Sequence, residues 1–155
     1  MQPTRERIDR RYSDPTASAV PWSEAEARLA AAEVAWVVTV RPDGRPHATP
    51  MVPVVHDGKV YFQTGSTEVK YANLQANPHV LVLAGDTAWD HGLDVAVEGT
   101  ATPVSDPDLL RRIAALYRDR WDGRWEIQAV LFELTPSTAY GHAKGEPFGQ
   151  TTYRF

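Results

Sequence analysis

Short apolar runs separated by turn-forming residues make up most of the chain. Residues 35–40 (AWVVTV) and 80–84 (VLVLA) are apolar on both faces of an extended chain, and residues 93–98 (LDVAVE) alternate between apolar and polar positions. Runs of this length and β-branched content are typical of strands. The pattern predicts strands at 35–40, 47–55, 59–64, 79–85, 93–104 and 128–142.

Three helices are predicted around these strands. The first follows Ser23, a suitable N-cap, with Glu26 three residues later to complete a capping box. The second follows the strand 59–64 and ends before Pro78. The third has Asp106 as its N-cap and Pro107 at its first position. Its apolar stripe has helical spacing and runs to about Arg120, through Leu109, Ile113, Leu116 and Tyr117.

Tight turns join the first three strands and fix their direction. Residues 41–46 (RPDGRP) and the Asp57-Gly58 pair are typical of hairpin turns. Parallel neighbours need connections of about a dozen residues or more, so strands joined by such turns are antiparallel. The sequence therefore predicts a mainly β fold with flanking helices. Strands that are apolar on both faces also need a cover on each face, either from barrel closure with packed helices or from a second subunit.

Composition limits the class of protein. The chain has 155 residues, of which 43% are hydrophobic, and this suits a single globular domain. We expect an N-terminal arm at residues 1–21, which are polar and proline-rich, and one domain at residues 22–155. The net charge of −4 gives no field that would favour nucleic acid as a partner. The absence of cysteine excludes disulfides, thiolate metal sites and a cysteine nucleophile.

The sequence also lacks the patterns of a membrane protein or a metal site. The N-terminus has no apolar region of the kind found in secretion signals, and the longest apolar runs are only as long as strands. A cytoplasmic protein is therefore expected. The five histidines, at positions 47, 56, 79, 91 and 142, do not have the spacing of a helical metal motif, so no metal site is expected.

The turn after the strand 59–64 carries the clearest chemical signal. Thr64, Gly65 and Ser66 stand where a strand gives way to a helix, and backbone N–H groups at such a point can converge on an anion. Lys70 lies four residues after Ser66, on the same side of a helix, so its ammonium can reach the same anion. Gln63 can add an amide contact from the strand. This pattern indicates a phosphate or pyrophosphate site.

An alternative interpretation of the same turn involves no ligand. Ser66 or Thr67 would be an ordinary N-cap, Glu68 would complement the helix dipole, and Lys70 would be solvated. Glu68 would also repel a phosphate at close range. The residues of the turn alone leave both interpretations open.

A larger resemblance joins these segments. Residues 38–85, residues 95–104 and the final FGQTTYRF resemble the split β-barrel superfamily of pyridoxamine 5'-phosphate oxidase-like, flavin- and deazaflavin-dependent oxidoreductases. The resemblance extends from about Ala35 to Phe155. It implies a six-stranded antiparallel split β-barrel, of the FMN-binding type, that forms a homodimer with two cofactor sites in the grooves between subunits.

The resemblance also implies which residues bind the cofactor. The second predicted strand matches the family strand that lines the cofactor ring, and the turn after the third strand matches the phosphate-binding turn. Oxidase members carry a basic pair directly after the serine, whereas residues 67–69 intervene here, so pyridoxamine phosphate oxidase activity is not expected. Arg154 lies where family members close the cofactor groove. Together with the turn residues above, the expected set is His47, Thr49, Pro50, Met51, Gln63, Thr64, Gly65, Ser66, Lys70 and Arg154.

The resemblance implies a redox function. FMN and the deazaflavin coenzyme F420 both carry a tricyclic ring and a phosphate, so one turn can serve either. The acidic tail of F420 favours basic residues along the groove, and Lys70, Arg154, Arg45 and Lys144 are candidates. We expect an F420-dependent oxidoreductase that transfers hydride to a small unsaturated or carbonyl acceptor. The alternatives are an FMN-binding oxidoreductase of the same fold and a non-catalytic cofactor- or haem-binding module.

No catalytic acid or base is identified in the sequence. Hydride transfer is chemistry that the cofactor carries, while the protein positions the reactive carbon and excludes water. Glu98 and Glu133 are expected on a solvated sheet face by strand alternation, so neither is a candidate.

Overall fold

The structure, a computed structural model, describes residues 1–123, 127 and 129–155. These residues form nine strands and three α-helices. Gln128, at the start of the last predicted strand, lies outside the described residues. The strands are β1 (Arg5–Ile8), β2 (Ala35–Val40), β3 (Pro46–Met51), β4 (Val54–His56), β5 (Lys59–Thr64), β6 (His79–Ala84), β7 (Leu93–Pro103), β8 (Val130–Ala143) and β9 (Gly149–Arg154). The helices are α1 (Trp22–Ala31), α2 (Val69–Ala76) and α3 (Pro107–Arg120), and a short 3-10 helix covers Arg10–Tyr12.

The strands form one antiparallel sheet that makes an open barrel. Along the sheet the order is β1-β9-β8-β7-β6-β2-β3, and β5 pairs with β4 and β8. The 14-residue strand β8 pairs with β5 over its first part and with β9 over its last part. Within the described residues no pairing joins β3 to β4 or β5, so the barrel is open between β3 and the β4–β5 hairpin. The antiparallel arrangement predicted from the tight turns is confirmed.

The predicted strand 47–55 is divided into β3 and β4. Val52 and Pro53 lie between the two strands. Pro53 has no amide hydrogen to contribute to a ladder. The Val52 carbonyl instead accepts a hydrogen bond from the Tyr117 hydroxyl of α3 at 2.9 Å. The Asp57-Gly58 turn after β4 is confirmed, since both residues have positive φ, 50° and 72°.

The helix α1 begins two residues earlier than a cap at Ser23 would allow. Ser23 lies inside the helix, and Pro21 occupies the N-cap position without a side-chain cap bond. The Glu6 carboxylate of β1 accepts a hydrogen bond from the Trp22 N–H at 3.1 Å, so a residue distant in sequence satisfies the helix end. Trp22 is 2% exposed. The prediction of a Ser23 cap is therefore wrong, because the tertiary contacts of Trp22 set the start of the helix.

The helix α3 follows its prediction closely. Its N-cap Asp106 accepts a hydrogen bond from the Asp108 N–H at 2.9 Å, and the helix ends at Arg120. No helix among the described residues is both long enough and apolar enough to cross a bilayer. The main core includes α1, α2 and the inner face of the sheet, while the stripe of α3 covers a second, smaller core: Val54, Tyr61, Ile113, Tyr117, Trp121 and Leu131.

Both ends of the chain join the sheet as strands, which the sequence did not predict. β1 pairs with β9, so that Arg5 lies opposite Arg154 and Ile8 lies opposite Thr151. β9 in turn pairs with β8. The segment expected to be an arm is therefore docked on the domain along its first strand.

The side of β2, β3 and β6 that points away from the core, here called the outer face, is apolar. Trp36 is 50% exposed, and Leu83, its neighbour across the β2–β6 pair, is 38% exposed. Val38 and Leu81 form the next pair on the same face. The alternate residue Val37 is fully buried in the core. Of these strands, β2 and β6 are the ones predicted to be apolar on both faces, and in the single chain their outer side is open to solvent.

The expectation that Glu133 is solvated is wrong, whereas Glu98 is exposed as expected. The Glu133 carboxylate accepts hydrogen bonds from the Lys59 ammonium at 2.6 Å and from the Tyr61 hydroxyl at 2.7 Å. Burial raises the pKa of Glu133, but these two bonds outweigh it and leave the pKa below its usual 4.5. The pair of strands β5 and β8 is thus linked by a partly buried polar network.

We expect Glu133→Gln to lower the free energy of unfolding by about 1–2 kcal/mol at pH 7, because Lys59 and Tyr61 lose a charged acceptor. A carboxyl whose pKa is lowered by folding stabilises the protein above its unfolded pKa, and this contribution is lost as the pH falls through the folded pKa. The difference between variant and wild type should therefore shrink below about pH 4.5. Urea denaturation across this range measures it. Glu98→Gln makes the same change at an exposed position, and an equal loss there would contradict the assignment.

Candidate functional site

The turn between β5 and α2 is tighter and the helix shorter than the sequence suggested. Thr64 is buried at the end of β5, and the Glu68 N–H donates to the Gly65 carbonyl at 3.0 Å. The helix begins only at Val69, with Glu68 at its N-cap position. The alternative in which Ser66 or Thr67 caps the helix is therefore wrong. The expected helical spacing of Ser66 and Lys70 is wrong for the same reason, since Ser66 lies outside the helix and is exposed.

The donors of this turn converge on a carboxylate of the chain itself. The Gly65 N–H donates to Glu68 Oε1 at 2.7 Å, and the Lys70 ammonium pairs with Glu68 Oε2. Hydrogen bonding from Lys70 is the main reason why the pKa of Glu68 is lowered. The approach to the backbone is close, because a Cβ built on Gly65 would lie 3.2 Å from Glu68 Oε1. We call the Gly65 N–H and the Lys70 ammonium the anion cradle.

The anion cradle is buried on its cationic side. Lys70 is only 6% exposed, whereas the Glu68 side chain is 47% exposed. Moving an ammonium out of water is costly unless an anion is held against it. Glu68 provides that anion from the solvent side, and an oxyanion of a ligand can approach from the same side.

The helix α2 is fixed against β2, and this places the anion cradle beside β3. Asn73, one helical turn after Lys70 and also buried, donates from Nδ2 to Thr39 Oγ1 of β2 at 2.9 Å. Thr39 lies directly opposite His47 of β3 and donates from its hydroxyl to the His47 carbonyl at 3.3 Å. A chain of two hydrogen bonds therefore runs from the buried face of α2 to β3.

Two polar atoms on β3 lack partners. His47 Nδ1 and Thr49 Oγ1 are buried, and neither has a hydrogen-bond partner among the described residues. Buried polar atoms in proteins are nearly always paired, so two on one strand indicate a place for a ligand. His47 and Thr49 lie opposite Thr39 and the fully buried Val37, and so point to the inner side of the sheet. A ligand with polar groups on this side of β3 would supply the partners of both atoms.

The remaining expected residues are distributed over different surroundings. Met51 is buried in the main core at the end of β3, and Gln63 is half-buried on β5 beside Thr64. Pro50 is exposed on the outer face, opposite Trp36. The single chain thus places His47 and Thr49 on the inner side of β3, which Thr39 and Asn73 link to the helix of Lys70, and directs Pro50 to the other side of the sheet.

Arg154 is remote from the anion cradle within one chain. Thr64 lies opposite Val130 of β8, while Arg154 lies opposite Thr138 of the same strand. Eight residues of strand correspond to about 26 Å. The other basic candidates for an acidic tail have partners in the chain: Arg45 pairs with Asp43, and Lys144 pairs with Asp86 and Asp94.

Sequence reasoning missed the part that Glu68 takes in this site. It treated Glu68 only as a first-turn acid that would repel phosphate, whereas the carboxylate occupies the anion cradle. The available signal was a glycine, an acid and a lysine at positions 65, 68 and 70. Asn73 was also missed, because its role depends on the packing of α2 against β2.

Comparison with known proteins gives a consistent assignment of the fold. The family described as pyridoxamine 5'-phosphate oxidase matches residues 22–143. A conserved hypothetical protein from Mycobacterium tuberculosis is 22% identical, with a TM-score of 0.72, and the match covers 83% of this chain and 87% of that one. A pyridoxamine 5'-phosphate oxidase-related, FMN-binding protein from Nostoc punctiforme is 19% identical, with a TM-score of 0.63 and coverages of 89% and 93%.

An F420 reductase is also similar in structure. It is 27% identical, with a TM-score of 0.57, and the match covers 74% of this chain and 94% of the reductase. No curated protein sequence matches the chain. The expected mainly β split-barrel fold is confirmed, and the chain belongs to the pyridoxamine 5'-phosphate oxidase family.

Proposed function

We propose that the chain is an F420-dependent oxidoreductase that acts on a small unsaturated or carbonyl acceptor. The observation that carries the proposal is the anion cradle, a buried lysine and a glycine N–H that already hold an oxyanion, beside a strand with two unpartnered polar atoms. A phosphate linked to a flat heterocycle has the two chemical parts that this arrangement can bind.

In this proposal the cofactor phosphate takes the place of the Glu68 carboxylate. The Gly65 N–H and the Lys70 ammonium would hold it, and Glu68 would turn toward solvent, where its side chain is already 47% exposed. Thr64 and Ser66 are close in sequence and could supply hydroxyl contacts to further phosphate oxygens. A charged hydrogen bond from a buried ammonium is the strongest contact available in the turn.

The ring would lie along β3, with Gln63 at the end of β5 as a further amide contact. His47 Nδ1 and Thr49 Oγ1 would then gain the partners that they lack, and buried Met51 would exclude water at the end of the strand. Tyr71 of α2 is half-buried, with its ring 6.1 Å from that of Phe132, and adds an aromatic wall on the helix side. When bound, the cofactor supplies hydride transfer, and these side chains orient it and keep the site dry.

The choice of F420 rests on the similarity to an F420 reductase at 27% identity. FMN is the second candidate, because it carries the same kind of ring and phosphate and a split-barrel relative is described as FMN-binding. A carrier that binds a cofactor or haem without turnover is the third. The anion cradle and β3 would serve F420 and FMN alike. A titration is therefore needed to distinguish the two cofactors.

We further propose that a second copy of the chain covers the outer face, the side of the sheet opposite to His47 and Thr49. The outer face presents Trp36, Val38, Leu81 and Leu83 as one apolar surface. Exposed apolar surfaces of this kind mark interaction sites in soluble proteins. Arg154, which is remote from the anion cradle in one chain, is not part of this surface or of the proposed cofactor site.

A titration of wild type and Lys70→Ala with F420 and with FMN tests the proposed cofactor site. We expect F420 to bind more tightly than FMN, and Lys70→Ala to weaken binding by about 1–3 kcal/mol, because a charged hydrogen bond to the phosphate is lost. Quenching of cofactor fluorescence measures both affinities. Reduced F420 is then mixed with a panel of unsaturated and carbonyl acceptors. Oxidation of the cofactor would identify an enzyme, and binding without oxidation would identify a carrier.

Lys59→Ala is the matched control for Lys70→Ala. Lys59 is also paired with a carboxylate, that of Glu133, but it lies at the opposite end of β5 from the anion cradle. Lys59→Ala should lower the free energy of unfolding and leave the cofactor affinity unchanged. Unchanged affinity in Lys70→Ala would refute the phosphate assignment, and tighter binding of FMN would move the proposal to the second candidate.

Glu68→Gln should act in the opposite direction to Lys70→Ala. The neutral amide competes less well for the Lys70 ammonium and does not repel a phosphate, so cofactor affinity should rise by about 1 kcal/mol. The same fluorescence titration measures it, with the exposed Glu24→Gln on α1 as the control. A loss of affinity in Glu68→Gln would mean that the carboxylate supports the bound state and does not occupy the place of the phosphate.

Leu83→Glu should separate the proposed dimer. A carboxylate at the centre of an apolar interface is left without a partner, which costs about 3 kcal/mol or more. Sedimentation equilibrium should show a dimer for wild type and a monomer for the variant, with an unchanged circular dichroism spectrum. Arg112→Glu places the same new side chain on the exposed side of α3 and should leave the dimer intact. A wild-type monomer would refute this part of the proposal.

A further inference from the structure

We propose that the chain has a second anion site, between β1 and β9, for a small molecule that carries at least two oxyanion groups. A surface cavity of about 560 Å³ lies there, which is within the usual range of small-molecule sites. We call it the arginine cavity, because its lining includes Arg5, Arg7, Arg10, Arg11 and Arg154, with Asp9 as its one acidic residue.

Two of the five arginines are committed to other contacts. Arg11 forms a bidentate pair with Asp9, through Nε at 3.0 Å and an η nitrogen at 2.7 Å. Arg10 donates to the carbonyls of Pro15 and Ala17 at 3.1 and 2.9 Å. Because Asp9 is paired with Arg11, it does not neutralise Arg5, Arg7 or Arg154.

The other three arginines have no carboxylate within ion-pair distance among the described residues. Arg154 donates to the Thr138 hydroxyl at 2.5 Å, and Arg7 acts on Asp9 only at longer range. Glu6, which lies between Arg5 and Arg7 on β1, points to the other side of the strand, where it binds the Trp22 N–H. Three guanidinium groups therefore share one side of β1 and β9, and no carboxylate in the described part of the chain is paired with them.

The strand register brings these charges close together. Arg5 lies directly opposite Arg154, and Arg7 lies opposite Thr152. Residues directly opposite one another have Cβ atoms about 5 Å apart, and like charges in that arrangement are destabilising. Arg5 and Arg7 are about 7 Å apart along the same side of the strand. An anion between them would turn this repulsion into attraction.

The geometry points to the chemistry of the ligand. A guanidinium binds a carboxylate or a phosphate through two parallel hydrogen bonds, and three arginines whose Cβ atoms are roughly 5–7 Å apart can hold two such groups on one small molecule. The net charge of the chain is −4, so the cluster is a local feature and not a consequence of a basic protein. Within one chain it lies about 26 Å along β8 from the anion cradle. The inference therefore does not rest on the proposed cofactor.

The test uses inorganic pyrophosphate and citrate as probes, one a diphosphate and the other a tricarboxylate. Calorimetric titration of wild type, Arg5→Gln, Arg7→Gln and the double variant gives the affinities, with sodium sulfate at equal ionic strength as the solvent control. Arg112→Gln removes an exposed arginine of α3 and is the matched control. We expect at least one probe to bind wild type, with about tenfold weaker binding in each single variant.

A second readout separates an anion site from arginines that merely support the strand. Without a probe, Arg5→Gln and Arg7→Gln should melt at or above the temperature of wild type, because the repulsion across β1 and β9 is relieved. Binding of pyrophosphate alone would identify phosphates as the ligand class, and binding of citrate alone would identify carboxylates. Equal affinity in wild type and the double variant, an equal effect of sulfate, or a lower melting temperature of both single variants would overturn the inference.

Discussion

A lysine ammonium buried at the start of α2 has to face an anion, and much of the local structure around the candidate site follows from this requirement. Glu68 supplies the anion, and because its carboxylate turns toward Lys70 and the Gly65 N–H, it is not available to cap the helix. The helix begins at Val69, directly after Glu68 and without a side-chain cap bond. Asn73, on the same buried side of α2, then anchors the helix to Thr39 of β2. The position of one charge thus couples the turn, the helix start and the docking of α2 beside β3.

Under the proposed function, cofactor binding is an exchange of one oxyanion for another. The donors are held in place before the ligand arrives, so little ordering entropy is lost at the phosphate. Displacing Glu68 from Lys70 and Gly65 opposes binding, but a carboxylate that is half in water is solvated readily once it turns away. The same contact lets the chain fold without a ligand, because the buried ammonium is never left without a counter-charge. Glu68 therefore stabilises the ligand-free chain and lowers its affinity for the ligand.

The sequence predicted the parts of the fold that local patterns determine. The strands at 35–40 and 59–64 and the Asp106 cap of α3 depend on β-branched runs and on a side chain next to its own helix, and all three are confirmed. The errors have nonlocal causes: Glu6 replaces Ser23 at the start of α1, and β1 pairs with β9 across almost the whole chain. For the candidate site, the pattern located the turn and Lys70. It could not show that Glu68 fills the anion cradle, since that depends on where the helix begins.

The outer side of the sheet changes character from one end to the other, and this limits how a second copy can cover it. One row of cross-strand neighbours runs from Leu81 through Glu98 and Thr138 to Arg154. Three strand spacings, about 14 Å, therefore separate the apolar surface from Arg154 and the arginine cavity. Burying the apolar part against a flat partner surface would favour association. Burying the arginines without counter-charges would oppose it by roughly several kcal/mol per charge. The proposed interface should therefore end near β7, which leaves the arginine cavity beside it, open to a soluble anion.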